Sequence, residues 1–199
     1  PVERTFDWKA FRAFKRKEVL ALAGIGFIFF FIIAGINQMV NPFLEAEFNI
    51  ALSTAGLVTT VWGIGAVLGG VLGGRLINRV GQLKAINISL AISLASGLTL
   101  SITPSALLAW PIVALFGLSY GTYQTLYYAL SMNSTDPRIA ASMFAILMAA
   151  TNVAQGVGMA AGGFMADAAG FRWTFTAFAL LNVLVLPLRP HVFQNTQNE

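Results

Sequence analysis

From Ala85 to Thr135 the chain reads AINISLAISLASGLTLSITPSALLAWPIVALFGLSYGTYQTLYYALSMNST, 51 residues without a single Asp, Glu, Lys or Arg. A helix that crosses a bilayer needs about 20 mostly apolar residues. The run therefore holds two spans and a turn, and Thr103-Pro104-Ser105 supplies the turn, since proline and small polar residues break helices. This places spans at 85–103 and 105–131. Working outward, 19–40 is a first span in which Asn37 and Gln38 are the only strongly polar residues, and 54–77 is a second. Residues 139–166 are uncharged and make a fifth. The sixth, 173–188, is short, with 16 residues between Arg172 and Arg189; both arginines are expected to snorkel toward the interface.

Composition agrees with lipid as the solvent. The 199 residues are 57% hydrophobic and 10% charged, with mean hydropathy +0.73, where soluble domains carry about 25% charged residues. So apolar a chain does not cover a water-facing surface. There is no Cys, and the one His, His191, lies near the C-terminus. Disulfide frameworks, thiolate sites and most metal and general-base chemistry are excluded, and no cofactor or metal is expected. The net charge of +4 is explained by membrane topology rather than by nucleic acid.

The charges are placed asymmetrically. Arg4, Lys9, Arg12, Lys15, Arg16 and Lys17 precede the first span; Arg75, Arg79 and Lys84 lie between the second and third; Arg138 lies between the fourth and fifth, and Arg189 after the sixth. With six spans these eleven share one side, and Arg172 stands alone on the other. The positive-inside rule then predicts an integral protein of the cell (inner or plasma) membrane with both termini cytoplasmic. Residues 1–18, where Trp8, Phe11 and Phe14 alternate with Lys9, Arg12 and Arg16, read as an amphipathic linker at the cytoplasmic interface, and 190–199 as a cytoplasmic tail. The chain opens at Pro1 with no Met and shows no cleavable signal peptide, which reads as a fragment or a chain whose start has been removed.

The two halves of the chain share a pattern. Gly73-Gly74-Arg75-Leu76-Ile77-Asn78-Arg79-Val80-Gly81 ends the second span, and Gly162-Gly163-Phe164-Met165-Ala166-Asp167-Ala168-Ala169-Gly170 ends the fifth. Both have Gly-Gly, three residues, Asn or Asp, two residues, Gly, at an offset of 89. The same shift lays the first span on the fourth and the third on the sixth. Copies three spans apart enter the membrane from opposite sides, which is an inverted repeat of the kind secondary transporters use. The expected fold is an all-α membrane protein with six transmembrane helices as a 3+3 inverted repeat.

The loop Gly74-Arg75-Leu76-Ile77-Asn78-Arg79-Val80-Gly81-Gln82-Leu83-Lys84 resembles the major facilitator superfamily pattern Gly-x-Leu-x-Asp-Arg-x-Gly-Arg-x-x. Gly74, Leu76, Arg79 and Gly81 match; Asn78 replaces the Asp and Gln82 the Arg. The segment ending Gly170-Phe171-Arg172-Trp173-Thr174-Phe175 resembles the family's stretch between the last two spans of a half. The resemblance implies the C-terminal six-helix half of a twelve-helix carrier. Its partners would be the lipid bilayer, a small-molecule solute and a second six-helix half, either an N-terminal half or a second copy in a homodimer. It also implies that the loop Gly74, Asn78, Arg79 and Gly81 gates the cytoplasmic side, with a weakened charge latch because Asn78 carries no carboxylate.

Polar groups in lipid are costly unless satisfied or facing water. Asn37, Gln38, Gln124, Asn152 and Gln155 are therefore candidates for a solute path, with Tyr120 and Tyr123 beside Gln124 at helical spacing. Tyr127 and Tyr128 also suit an interfacial aromatic belt, and Trp62 suits packing or lipid contact. Gly65, Gly69 and Gly73 on the second span and Gly158 and Gly162 on the fifth recur every four residues, the spacing that lets helices pack closely; the resemblance implies that these two helices face the missing half. Asp167 and Arg172 are within reach of each other at the outer end. Gly117-Leu118-Ser119-Tyr120-Gly121 matches the hydrolase elbow Gly-x-Ser-x-Gly, but it lies inside a span with no nearby His. Alternating-access transport is the leading expectation, a non-transporting scaffold or inactive fragment the other, and no enzyme is expected.

Overall fold

A computed structural model of the chain describes residues 15–135 and 139–193. The linker reading for 1–18 and the tail reading for 190–199 fall largely outside them, as does Arg138. The elements are α1 (Lys17–Phe48), α2 (Leu52–Val80), α3 (Gln82–Ser101), α4 (Ala106–Asn133), α5 (Ala140–Ala169), α6 (Phe171–Leu180), a 3₁₀ segment (Leu181–Leu188) and α7 (Arg189–Phe193). Six helical segments among the described residues are long and apolar enough to cross a membrane.

α2 to α5 extend one to three residues beyond or inside the apolar limits read from the sequence. α1 departs more: it continues eight residues past Val40 to Phe48, through Pro42, Glu45 and Glu47. The extension is anchored because Phe43 and Leu44 are fully buried. The Phe43 ring packs edge-on against Phe171 and Phe175 of α6, with centroids 6.1 and 5.1 Å away. Asn49, with φ 52°, ends α1 in the left-handed region and its N–H bonds Glu45 O, as helix C-caps do.

The sixth span solves its shortness through its backbone. Ten α-helical residues are followed by eight in 3₁₀ form. At about 1.5 Å per residue in the first part and about 2.0 Å in the second, the segment reaches about 31 Å, against about 27 Å as pure α-helix. Arg189 at its end donates to Asn87 Oδ1 of α3 and to Leu186 O, so it is held by protein rather than snorkelling freely.

Packing follows the repeat. α2 lies chiefly on α4, and α1 on α5; these two pairs exchange under the shift that maps α1 to α4 and α2 to α5. The glycines at the two helix junctions match in detail. Gly81 has φ 81°, ψ 163° and Gly170 has φ 87°, ψ 162°, a region open essentially to glycine alone. Each donates to the carbonyl four residues back, Ile77 O and Ala166 O, both at 2.9 Å, and each accepts from four residues ahead, Ala85 N and Thr174 N. Coverage is uneven. In its most apolar stretch α1 is 67% buried, whereas α2 and α5 are only 22% and 28% buried. The two least covered helices are thus repeat mates.

Candidate functional site

The polar face of α4 divides in two. Tyr123 and Tyr127 point into the bundle: both are buried. Tyr123 stacks on Phe29 of α1 at 3.4 Å and 11°, and its hydroxyl donates to Ile25 O at 3.1 Å. Tyr127 packs against Phe30, centroids 5.6 Å apart. Tyr123 therefore acts in the α1–α4 contact and presents no surface to a solute. Tyr123, which the sequence sets beside Tyr120 and Gln124, is thus parted from them by its burial.

The half-exposed side carries Tyr120, Gln124 and Tyr128, at i, i+4 and i+8, one above another on a helix. Gln124 Nε2 donates to the Tyr120 hydroxyl at 2.8 Å and to the Tyr128 hydroxyl at 2.9 Å. The amide is thereby held between two phenols. Trp62 of α2 lies 5.0 Å from the Tyr120 ring, Phe30 of α1 stands edge-on to it at 6.0 Å, and Phe144 of α5 stands 6.1 Å from Tyr128. The Trp62 indole N–H is buried without a partner. Aromatic faces and a fixed amide, from four helices, make a surface suited to a polar organic molecule. Sequence reasoning placed Trp62 and Tyr128 elsewhere; the i, i+4, i+8 spacing of Tyr120, Gln124 and Tyr128 was the signal that tied Tyr128 to the amide.

The remaining amides lie at other levels. Gly158 seats against Phe31 O and Gly162 against Gly35, so α1 and α5 run parallel in register. Half-buried Gln155 and exposed Asn152 then stand about level with Ile28 and Ile25. Half-buried Asn37 and exposed Gln38 stand about 13 Å farther along α1. No hydrogen bond joins them to the Gln124 ladder among the described residues. Next to them Asn41 Nδ2 donates to Thr59 Oγ1 of α2 at 3.0 Å.

The glycines sort by face. A methyl at Gly65, Gly69 or Gly73 would strike Ala114 O, Leu118 O or the Thr122 backbone of α4, and one at Gly158 or Gly162 would strike α1. These stripes thus close contacts inside the six helices rather than facing outward. Gly56, Gly63 and Gly74 on α2, and Gly156 and Gly163 on α5, meet nothing within 4 Å. Gly117 and Gly121 press on Trp62 O and Ala66 O, and Ser119 Oγ donates to Ser89 O at 2.7 Å, so the elbow-like motif is a packing seam. Arg172 bonds Glu47 Oε2 at 3.2 Å and Ser101 O at 3.0 Å, rather than Asp167. The segment expected to be a loop is mostly helix: Gly74, Asn78 and Arg79 lie in the last two turns of α2 and only Gly81 stands between α2 and α3; Asn78, Arg79 and Gly81 are exposed and Gly74 is half-buried.

Comparison with known proteins fits this geometry. YyaJ of Bacillus subtilis (strain 168), a protein named for metabolite transport, is 38% identical over 75 residues, covering 37% of this chain and 17% of that protein. A mutant of the peptide transporter POT, solved in complex with alafosfalin, superposes with TM-score 0.77 at 17% identity, over 88% of this chain and 38% of its own. A bacterial homolog to the human lysosomal transporter Spinster, inward-facing and unoccupied, gives TM-score 0.70 at 18% identity, over 94% and 49%. The chain thus matches less than half the length of each. The family model for the Major Facilitator Superfamily, whose members are membrane transporters rather than enzymes, matches residues 22–195. With that match, and with six membrane-length helices whose packing follows the 3+3 repeat, the chain belongs to the Major Facilitator Superfamily.

Proposed function

We propose that the chain is the C-terminal six-helix half of a secondary transporter that moves a small polar organic solute by alternating access. The observation that carries this reading is the Gln124 amide held between Tyr120 and Tyr128 on a half-open face beside Trp62. Structural amides inside a bundle are normally enclosed; this one is fixed yet reachable. Tyr120, Gln124 and Trp62 form the inner part of the path, Asn152 and Gln155 flank it from α5, and Asn37 and Gln38 lie toward the other end of α1. Tyr123 supports the path from behind. No Asp, Glu, Lys or Arg lies mid-span among the described residues, so this half recognises its solute through hydrogen bonds and ring faces rather than by ion pairing.

The second half of the path is supplied by another six-helix unit. The low coverage of α2 and α5 and their open glycines, Gly56, Gly63, Gly74, Gly156 and Gly163, support contact through those helices, because small residues let backbones approach. Gly74, Asn78, Arg79 and Gly81 gate the basic end, where both termini lie in the cytoplasm.

The test is uptake by the full-length protein in proteoliposomes, screened with sugars, nucleosides, amino acids and short peptides. For a solute that accumulates, Gln124→Ala and Trp62→Ala should lower kcat/KM at least tenfold, about 1.4 kcal/mol of transition-state binding. Wild-type KM and rate in both variants would remove this face from the path.

A further inference from the structure

A second feature lies on the opposite flank of α2 from its open glycines. Leu72, Arg75, Leu76 and Arg79 of α2 face Ile88, Ser89 and Ile92 of α3 across a groove of about 400 Å³, floored by Leu118 and Thr122 of α4. The two polar side chains inside are already satisfied: Ser89 Oγ donates to Ala85 O and Thr122 Oγ1 to Gly69 O. The only unspent donors are the exposed guanidiniums of Arg75 and Arg79, which have no hydrogen bond or ion pair among the described residues. The groove is therefore dry inside and doubly cationic at its mouth.

Its length has a natural match. Leu72 lies eight residues before the end of α2 and Ile92 ten residues after the start of α3, so the groove runs about 12 to 15 Å down from the helix ends, with Arg79 about 1.5 Å and Arg75 about 7.5 Å along α2. That is one leaflet of a hydrocarbon core about 30 Å thick. A groove of that length, with two unpaired arginines along its upper half and an apolar lower half, is complementary to one molecule class: an anionic phospholipid, phosphate on the guanidiniums and an acyl chain between α2 and α3. A partner helix fits less well. Close helix contact wants small residues, and α2 keeps those on its other flank, whereas this one offers Leu and Arg. We propose that the α2–α3 groove is a binding site for an anionic phospholipid of the leaflet at the basic end, held by Arg75 and Arg79. The site needs only the membrane placement and does not depend on the solute path.

The experiment is native mass spectrometry of the full-length protein titrated with phosphatidylglycerol or phosphatidylcholine. Two kinds of variant separate the contacts: Arg75→Gln with Arg79→Gln removes charge, and Ile92→Trp fills the groove with charge intact. Phosphatidylglycerol adducts should exceed phosphatidylcholine adducts at least fivefold, and both variants should erase that preference. Inorganic phosphate at millimolar concentration should not compete, whereas it would if only a free anion were bound. A fluorophore on Ile88→Cys, in a protein made otherwise cysteine-free, should be quenched by brominated phosphatidylglycerol. Equal adducts for the two lipids, insensitivity to Ile92→Trp, competition by phosphate, or absence of quenching because a protein segment fills the groove would each overturn the proposal.

Discussion

Arg172 is the one cation at its end of the bundle among the described residues, and it is fully engaged. Its Nη2 lies 3.2 Å from Glu47 Oε2 of α1, its Nη1 donates to Ser101 O at the C-terminus of α3, and its guanidinium carbon stands 5.5 Å from the centre of the Phe43 ring. One side chain on α6 thus ties down the ends of three helices. The ion pair itself is about 38% exposed on each side and contributes little, of order 0–1 kcal/mol. The carbonyl bond and the ring contact add the geometry that a lysine lacks. Arg172→Lys should therefore behave much like Arg172→Ala, each lowering the melting temperature in detergent by a few degrees, while Glu47→Gln costs less. A lysine that restores full stability would show that charge alone matters. Tyr123→Phe tests the buried hydroxyl: it keeps the stack on Phe29 and loses one bond to Ile25 O. In lipid such a bond averages about 0.6 kcal/mol, so a small loss of thermal stability with unchanged uptake is expected.

At the scale of elements, the junction glycines and the seam glycines fail for different reasons. Gly81 and Gly170 have open space around them but a backbone at φ 81° and 87°, so alanine strains the chain without a clash, at about 1–3 kcal/mol each. Gly69 and Gly158 have ordinary helical backbone but lie against carbonyls, so leucine there should abolish the folded, monodisperse fraction in size-exclusion chromatography. Gly63→Ala and Gly156→Ala, in open space, should leave that fraction unchanged. The repeat and the helix ends were legible because Gly-Gly, Asn or Asp, and Gly recur at fixed positions and because charge marks the interfaces. Two features were not. The extension of α1 to Phe48 depends on burial of Phe43 and Leu44 by α6, a tertiary contact that hydropathy does not register. The division of α4 into an inward Tyr123–Tyr127 side and an open Tyr120–Gln124–Tyr128 side needs the position of α1, since the five residues share one arc of about 140° and only the neighbouring helix decides which part of that arc is covered.

For the whole molecule, orientation is the property on which the proposed solute path, gate and lipid site all depend. Eleven of the twelve Lys and Arg residues fall on one side of a six-span layout. The basic end of the structure, with the junction of α2 and α3 and the start of α1, gathers Lys15, Arg16, Lys17, Arg75, Arg79 and Lys84, while the opposite end has Glu45, Glu47 and Asp167 around Arg172. Translocating six clustered cations against the potential costs about 2.3 kcal/mol per charge per 100 mV, which favours the basic end in the cytoplasm. The chain contains no cysteine, so in a protein made otherwise cysteine-free an introduced thiol reports its own position. Ile102 sits 74% exposed at the turn between α3 and α4, and Lys84 is exposed at the α2–α3 junction. In intact cells a membrane-impermeant maleimide should label Ile102→Cys fully and Lys84→Cys only after permeabilisation. Labelling in the reverse order would invert the molecule, place the Arg75–Arg79 groove in the other leaflet and put the Asn78–Arg79 end of α2, proposed as an inner gate, on the outer side; labelling of both from outside would break the even number of spans.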